Sequence, residues 1–182
     1  MGTYNIGSCI FFGNRATNGS GGAITDESVT VNVSACNFIS NSAAIAGGAI
    51  FSAGGINSNV RYNRFIGNNA TNAANGQAIH NSGGVGFTAN DNWWGVNTGP
   101  NASDVRNATA TTWLQLHHSA NPSTIFIPNS TTLTATFLTN SAGSFIPVAN
   151  LSRLVGLPIT FNNPVRGSLS GAQTTIQSSG TA

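Results

Sequence analysis

Side chains able to do acid–base, nucleophilic or metal chemistry are scarce in this chain. The carboxylates are Asp26, Glu27, Asp91 and Asp104, the imidazoles His80, His117 and His118, and the thiols Cys9 and Cys36. Cleaving a polysaccharide would need two carboxyl groups flanking the scissile bond, or acids gathered around Ca²⁺ with a basic residue near. Asp26 and Glu27 are chain neighbours, so an extended segment points them to opposite faces, and they read as a solvated turn. His117 and His118 are adjacent on a strand-like stretch and cannot share an ion. His80 follows Ile79 and reads as solvent-facing or as a turn cap. No Ser stands with His and Asp in a recognisable nucleophile arrangement. Cys9 and Cys36 lack a nearby His and fall short of a zinc site; they read as buried free thiols or, if stacked, as a pair within disulfide range. No catalytic, metal-binding or cofactor-binding residue is expected, and hence no enzyme.

The elements that must carry these residues are set by a repeat. The motif aromatic-x-x-Asn occurs as Phe11-Phe12-Gly13-Asn14, Phe38-Ile39-Ser40-Asn41, Phe65-Ile66-Gly67-Asn68 and Trp94-Gly95-Val96-Asn97. A second motif keeps step with it, as Gly21-Gly22-Ala23-Ile24, Gly47-Gly48-Ala49-Ile50 and Gly76-Gln77-Ala78-Ile79. A fixed period in the range of about 20–50 residues marks a repeat architecture. With the aromatic as anchor, Ile6, Val33, Val60 and Ala89 stand five residues earlier, and Tyr4, Val31, Ser58 and Phe87 seven earlier. That period of two makes a strand with one inward face, and no helical stripe competes with it. Short strands separated by Asn, Gly and Ser predict coils of a right-handed parallel β-helix, about four in number. Like residues of successive coils then lie one above another at about 4.8 Å. Phe11, Phe38, Phe65 and Trp94 become an internal aromatic stack, and Asn14, Asn41, Asn68 and Asn97 an amide ladder. Gly-Gly supplies positive φ at the second corner, where a side chain would obstruct the bend. In the same register Asp26 and Glu27 align with Ser52 and Ala53, and Asp91 with Ala35 and Tyr62, so no two acids share neighbouring columns.

The stretches between Asn and Gly-Gly are small, polar and variable in length: Arg15–Ser20, Ser42–Ala46 and Asn69–Asn75. They read as loops on one face, with Arg15, Thr17, Asn18, Asn69, Thr71 and Asn72 as the candidate binding residues. Sequons at Asn18 and Asn69 fall in the same loops.

Composition narrows the partners. Charged residues are 5% of the chain, with six Arg, no Lys and a net charge of +2. That is too little positive charge to neutralise a nucleic-acid backbone, so nucleic acid is excluded as a partner. Solubility falls to Ser, Thr, Gly and 25 Asn. No apolar run is long enough to span a membrane. Gly2-Thr3-Tyr4-Asn5 already fits the strand columns, so neither a signal nor an anchor is read here, and the chain is expected to be part of a longer surface protein.

Asn92-Trp93-Trp94-Gly95 and Gly99-Pro100 end the repeat, with the two Trp expected to cover the end of the core. Residues 1–100 are thus assigned to the β-helix, 101–112 to a linker, and 113–182 to a second all-β domain. Ile125–Ile127, Thr132–Phe137, Leu157–Phe161 and Thr174–Ile176 look like its strands, divided by Pro and by the turn Asn140-Ser141-Ala142-Gly143. Four or five such strands suit a partial immunoglobulin-like sandwich.

The paired Phe-x-x-Asn and Gly-Gly-Ala-Ile motifs resemble repeats of polymorphic outer-membrane proteins and related β-helix adhesins. Asn92-Trp93-Trp94-Gly95 with Gly99-Pro100 and a following Trp-Leu is similar to adhesin-like proteins of methanogenic archaea. The tail from Leu157-Pro158-Ile159-Thr160-Phe161 through Gly167-Ser168-Leu169-Ser170 resembles invasin-type immunoglobulin repeats. The resemblance implies a pectin-lyase-like solenoid leading into a bacterial immunoglobulin-like domain, at the cell surface or secreted. It also implies a non-catalytic role, with a cell-surface glycan or another cell's surface as partner. A passive stalk or surface-layer element is the alternative. Gln77 for the second glycine and Trp94 for Phe depart from the repeat.

Overall fold

A computed structural model of the chain describes residues 2–27, 29–54, 56–162 and 167–182. It divides into two compact units, Met1–Leu114 and Gln115–Ala182.

The first unit is a parallel β-solenoid of about four turns. Each of the first three coils contributes one strand to each of four sheets, and the last adds a strand to the fourth. The first sheet pairs Thr3–Gly7, Thr30–Ser34 and Asn59–Arg61; the second pairs Ile10–Phe12, Asn37–Ile39 and Arg64–Ile66. The third pairs Arg15–Ala16, Ser42–Ala43 and Asn69–Ala70. The fourth joins Ile24–Asp26, Ile50–Ser52, Ile79–Asn81 and Val105–Arg106. Register follows the sequence columns: Phe11 lies opposite Phe38 and Phe38 opposite Phe65, while Ile24, Ile50, Ile79 and Val105 run in one row.

Three left-handed corners turn each coil. Ser8, Ala35, Tyr62 and Asp91 form the first corner, with φ between 50° and 59°. Gly13, Ser40 and Gly67 form the second, and Gly21, Gly47 and Gly76 the third. A side chain is disfavoured at such φ, yet the first corner uses none of the glycines; tertiary pairing on both sides holds it. At the third corner the following glycine serves a different purpose. A Cβ on Gly22 would run into the Gly48 carbonyl, and one on Gly48 into the Gln77 carbonyl, with the Asn69 backbone close behind.

Two expectations about the solenoid need correcting. The stretches assigned to loops begin as the two-residue strands of the third sheet, because Ala16, Ala43 and Ala70 turn inward and their neighbours hydrogen-bond to the next coil. Residues 101–112 are not a free linker but continue the stack. Val105 pairs with Ile79, Thr109 with Thr88, and Ala89 N–H donates to Thr109 O at 2.7 Å. Trp113 and Leu114 also belong to this unit, since Trp113 pairs with Asn92 and Leu114 N–H donates to Asn92 O at 3.0 Å.

The second unit is smaller and antiparallel. His117–Asn121 pairs with Thr132–Thr136, and single bridges join Thr136 to Thr181, Thr139 to Phe145 and Pro158 to Thr175. Ala135, Phe137, Ile146, Leu151, Leu154 and Ile176 are buried. The expected turn at Asn140 forms: its Oδ1 accepts N–H bonds from Ala142 at 3.0 Å and Ser144 at 2.9 Å, and Gly143 has φ 77°. Ile125–Ile127 is not a strand. Bracketed by Pro122 and Pro128, it finds no strand partner among the described residues and stays exposed.

Candidate functional site

The side chains that make the solenoid work are ordered in columns. The Phe11 and Phe38 rings lie 4.8 Å apart at 7°, Phe38 and Phe65 4.9 Å apart at 5°, and Phe65 and Trp94 4.9 Å apart at 17°. Trp93 and Trp94 are both buried, Trp94 within the core cluster of the solenoid, and neither offers an exposed face to a sugar. Trp113 Nε1 donates to Asn97 O at 2.8 Å, and its ring packs where a Cβ on Gly99 would sit.

The amide ladder runs through the residue after the second corner. Asn14 N–H and Nδ2 donate to Asn41 Oδ1 at 3.0 and 2.9 Å; Asn41 N–H and Nδ2 donate to Asn68 Oδ1 at 3.1 and 2.9 Å. Asn41 Nδ2 also reaches Phe11 O, and Asn68 Nδ2 reaches Phe38 O, at 3.0 and 2.9 Å. Asn97, the fourth Asn of the motif, is exposed.

A second ladder, not foreseen, follows the first corner. Cys9 N–H donates to Cys36 Sγ at 3.4 Å, Cys36 N–H to Asn63 Oδ1 at 2.9 Å, and Asn63 N–H to Asn92 Oδ1 at 2.9 Å. The signal was present in the sequence, since Cys9, Cys36, Asn63 and Asn92 all stand two residues before the anchor. A third polar column accompanies the fourth sheet. Asp26 is buried, not a solvated turn: its Oδ1 accepts from Val29 N–H at 3.0 Å and its Oδ2 from the Ser52 hydroxyl at 2.8 Å.

The remaining chemical side chains are also held by the backbone they stabilise. Buried Asp91 accepts from Arg61 Nη2 at 2.6 Å and from the Thr112 hydroxyl at 2.8 Å. That hydrogen bond raises the Arg61 pKa above its ordinary value against the opposing effect of burial, while burial lowers that of Arg64. Asp104 accepts from Asn101 N–H at 2.7 Å. His80 Nδ1 is 2.9 Å from Asn75 O, and its ring lies 5.6 Å from Phe51. His118 lies 6.0 Å from the Phe161 ring and borders a cleft of about 460 Å³ with Leu116, Leu133, Ile159 and Leu169. Among the described residues no three His, Cys, Asp or Glu gather as a metal site, and no helix is long and apolar enough to cross a membrane.

The loop residues fall on one side of the solenoid. Arg15 and Asn69 lie on third-sheet strands, each paired in register with Ser42 between them, and both are exposed. Thr17, Asn18, Thr71 and Asn72 follow in the loops, also exposed. Asn72 Oδ1 caps the 3₁₀ turn Ala73–Asn75 by accepting from Ala74 N–H at 3.0 Å, which shapes the third loop. The arrangement is a charge-poor frame with a polar fringe. Compared with known proteins, the chain matches no family model, no curated protein and no solved structure.

Proposed function

We propose that this chain is a non-catalytic, adhesin-like protein of the cell surface or secreted space. Its solenoid displays polar loops to a glycan or to another cell's surface, and an immunoglobulin-like second unit serves as spacer. The observation that carries the reading is the column Arg15–Ser42–Asn69 with its adjoining loops, where exposed polar groups are presented on a backbone fixed from coil to coil. Hydroxyl and amide groups on a preorganised surface suit the polyhydroxyl face of a sugar, because little side-chain order is lost on binding. The non-catalytic part of the proposal rests on the acids: Asp26, Asp91 and Asp104 each accept bonds from the solenoid's own backbone or side chains.

The test is a glycan-array measurement on the full chain beside two double variants, Arg15→Ala with Asn18→Ala and Asn69→Ala with Thr71→Ala. Saturable binding that both variants abolish without unfolding is expected. Folded protein that binds no glycan and no cell surface would make the solenoid a passive stalk.

A further inference from the structure

The dipeptide Asn-Gly occurs twice in the chain, as Asn18-Gly19 and Asn75-Gly76, each in a loop that leads into a glycine corner. The same chemistry is open to both. An asparagine followed by glycine loses its side-chain amide when the next backbone nitrogen attacks Cγ, because no Cβ shields that nitrogen. Their surroundings differ. Asn75 N–H donates to Asn72 O at 2.9 Å, its carbonyl accepts from Gly47 N–H at 2.9 Å, and its Nδ2 donates to Ile45 O at 3.1 Å. Gly76 is buried, and its carbonyl accepts from Gly48 N–H at 3.3 Å. Asn18 is exposed, and among the described residues neither its side chain nor Gly19 N–H has a hydrogen-bond partner. The space beside Gly19 is open as well, since a Cβ there would meet nothing within 4 Å. From this contrast we infer that Asn18-Gly19 is a self-modification site, converting to aspartate and isoaspartate in the native fold, while the fold keeps Asn75-Gly76 intact.

The step needs no reagent but water. The Gly19 backbone nitrogen gives up its proton and bonds to Asn18 Cγ; the bond from Cγ to Nδ2 breaks, and ammonia leaves with that proton. A cyclic imide remains, and one water opens it. Opening at Cγ leaves an aspartate side chain, and opening at the Asn18 main-chain carbonyl routes the backbone through Cγ as isoaspartate. Either product adds a carboxylate to a chain that has four, and isoaspartate also lengthens the loop by one methylene. Asn75 can follow the same course only after its bonds to Ile45, Gly47 and Asn72 have opened, so it reacts from a locally unfolded population. The inference does not depend on the glycan reading, which shares with it only the loop of Asn18.

The chain supplies its own control, because Asn75-Gly76 is the same dipeptide in a different setting. Full-length protein is incubated in mildly alkaline buffer, native and in urea, with Gly19→Ala alongside, a change that the open space at Gly19 accepts. The peptides carrying Asn18 and Asn75 are followed by the mass change from amide to acid and by isoaspartyl methyl-acceptor capacity. In the native protein Asn18 is expected to convert at least about tenfold faster than Asn75, since each hydrogen bond that holds Asn75 must break first. In urea the two rates should converge, and Gly19→Ala should slow the loss of Asn18 strongly. Native Asn18 as stable as Asn75, a lead of Asn18 that persists in urea, or conversion of Gly19→Ala at the wild-type rate would each overturn the site.

Discussion

In the first unit a side chain's partner is its own counterpart one coil away; in the second it is a residue of another kind brought back by a turn. Asn41 meets Asn14 and Asn68, and Phe38 meets Phe11 and Phe65. Asn140, by contrast, caps a local turn for Ala142 and Ser144, and Phe137 N–H reaches across to Gly180 O at 3.1 Å. Both units are poor in charge, so neither relies on many ion pairs. The difference teaches what repetition contributes: one solution to a corner or a core position, once found, is copied along the stack, and register is fixed by many equivalent contacts. The antiparallel unit must specify every turn separately, and its described residues build one two-strand sheet with a few bridges around its core.

The largest test of that contrast is Phe38→Ala. Phe38 is fully buried with a parallel ring on each side, so the deletion opens a cavity in the middle of the stack. A loss of about 3–5 kcal/mol is expected from the size of the deleted group. All three Trp lie at or before position 113, so Trp fluorescence during denaturation reports the first unit by itself. A midpoint that hardly moved would mean the aromatic column does not hold the coils in register.

Next in size is Asn41→Leu. It removes the acceptor for Asn14 N–H and the donor to Phe11 O inside a buried corner, at an expected cost of about 1–3 kcal/mol. Asn97→Leu, made in parallel, should cost far less, because Asn97 is exposed although it shares the motif. Equal losses would mean that the exposed end of the motif column holds as firmly as its buried middle.

That pair also marks where the sequence was legible and where it was not. Columns repeated every 26 to 29 residues carried the anchor aromatics, Asn14, Asn41 and Asn68, and the glycine corners, because each signal occurs at least three times in step. Residues 101–112 escaped because their coil is short: Thr112 meets Asp91 only 21 residues back, without an anchor aromatic or a Gly-Gly pair. Its inward residues include Ala108 and Ala110, which give too small an apolar signal to read. The burial of Asp26 escaped for another reason. The register already set Ser52 beside it, but alignment alone does not show that the pair faces inward and bonds.

Gln77 shows the repeat being adapted where it stops. The third sheet ends at Asn69–Ala70, so Ala70 N–H has no strand above it to receive it. Gln77 Oε1 accepts that N–H at 3.0 Å, from the position where Gly22 and Gly48 must stay bare for the coil above. Gln77→Leu should therefore leave one buried donor unmet and cost about 1 kcal/mol, at the lower end of such penalties. Amide hydrogen exchange gives the direct check: Ala70 N–H should lose protection in the variant while Ala43 N–H keeps it. Unaltered exchange at Ala70 would show that solvent, not Gln77, closes the sheet.

The smallest effect is expected where the second unit departs most from the first. In the loop between its two strands Phe126 is 79% exposed and Ile127 99% exposed, so neither contributes to the buried set of that unit. Surface substitutions away from packed features stay within about 0.5 kcal/mol, and Phe126→Ser with Ile127→Ser should do the same while raising solubility. Far-UV circular dichroism during urea denaturation follows both units, and the phase not reported by Trp fluorescence belongs to the second. A loss above about 1 kcal/mol in that phase would be larger than an exposed pair can produce. It would mean that the apolar tip folds back onto the unit in solution, and that the antiparallel part has a larger core than its strands display.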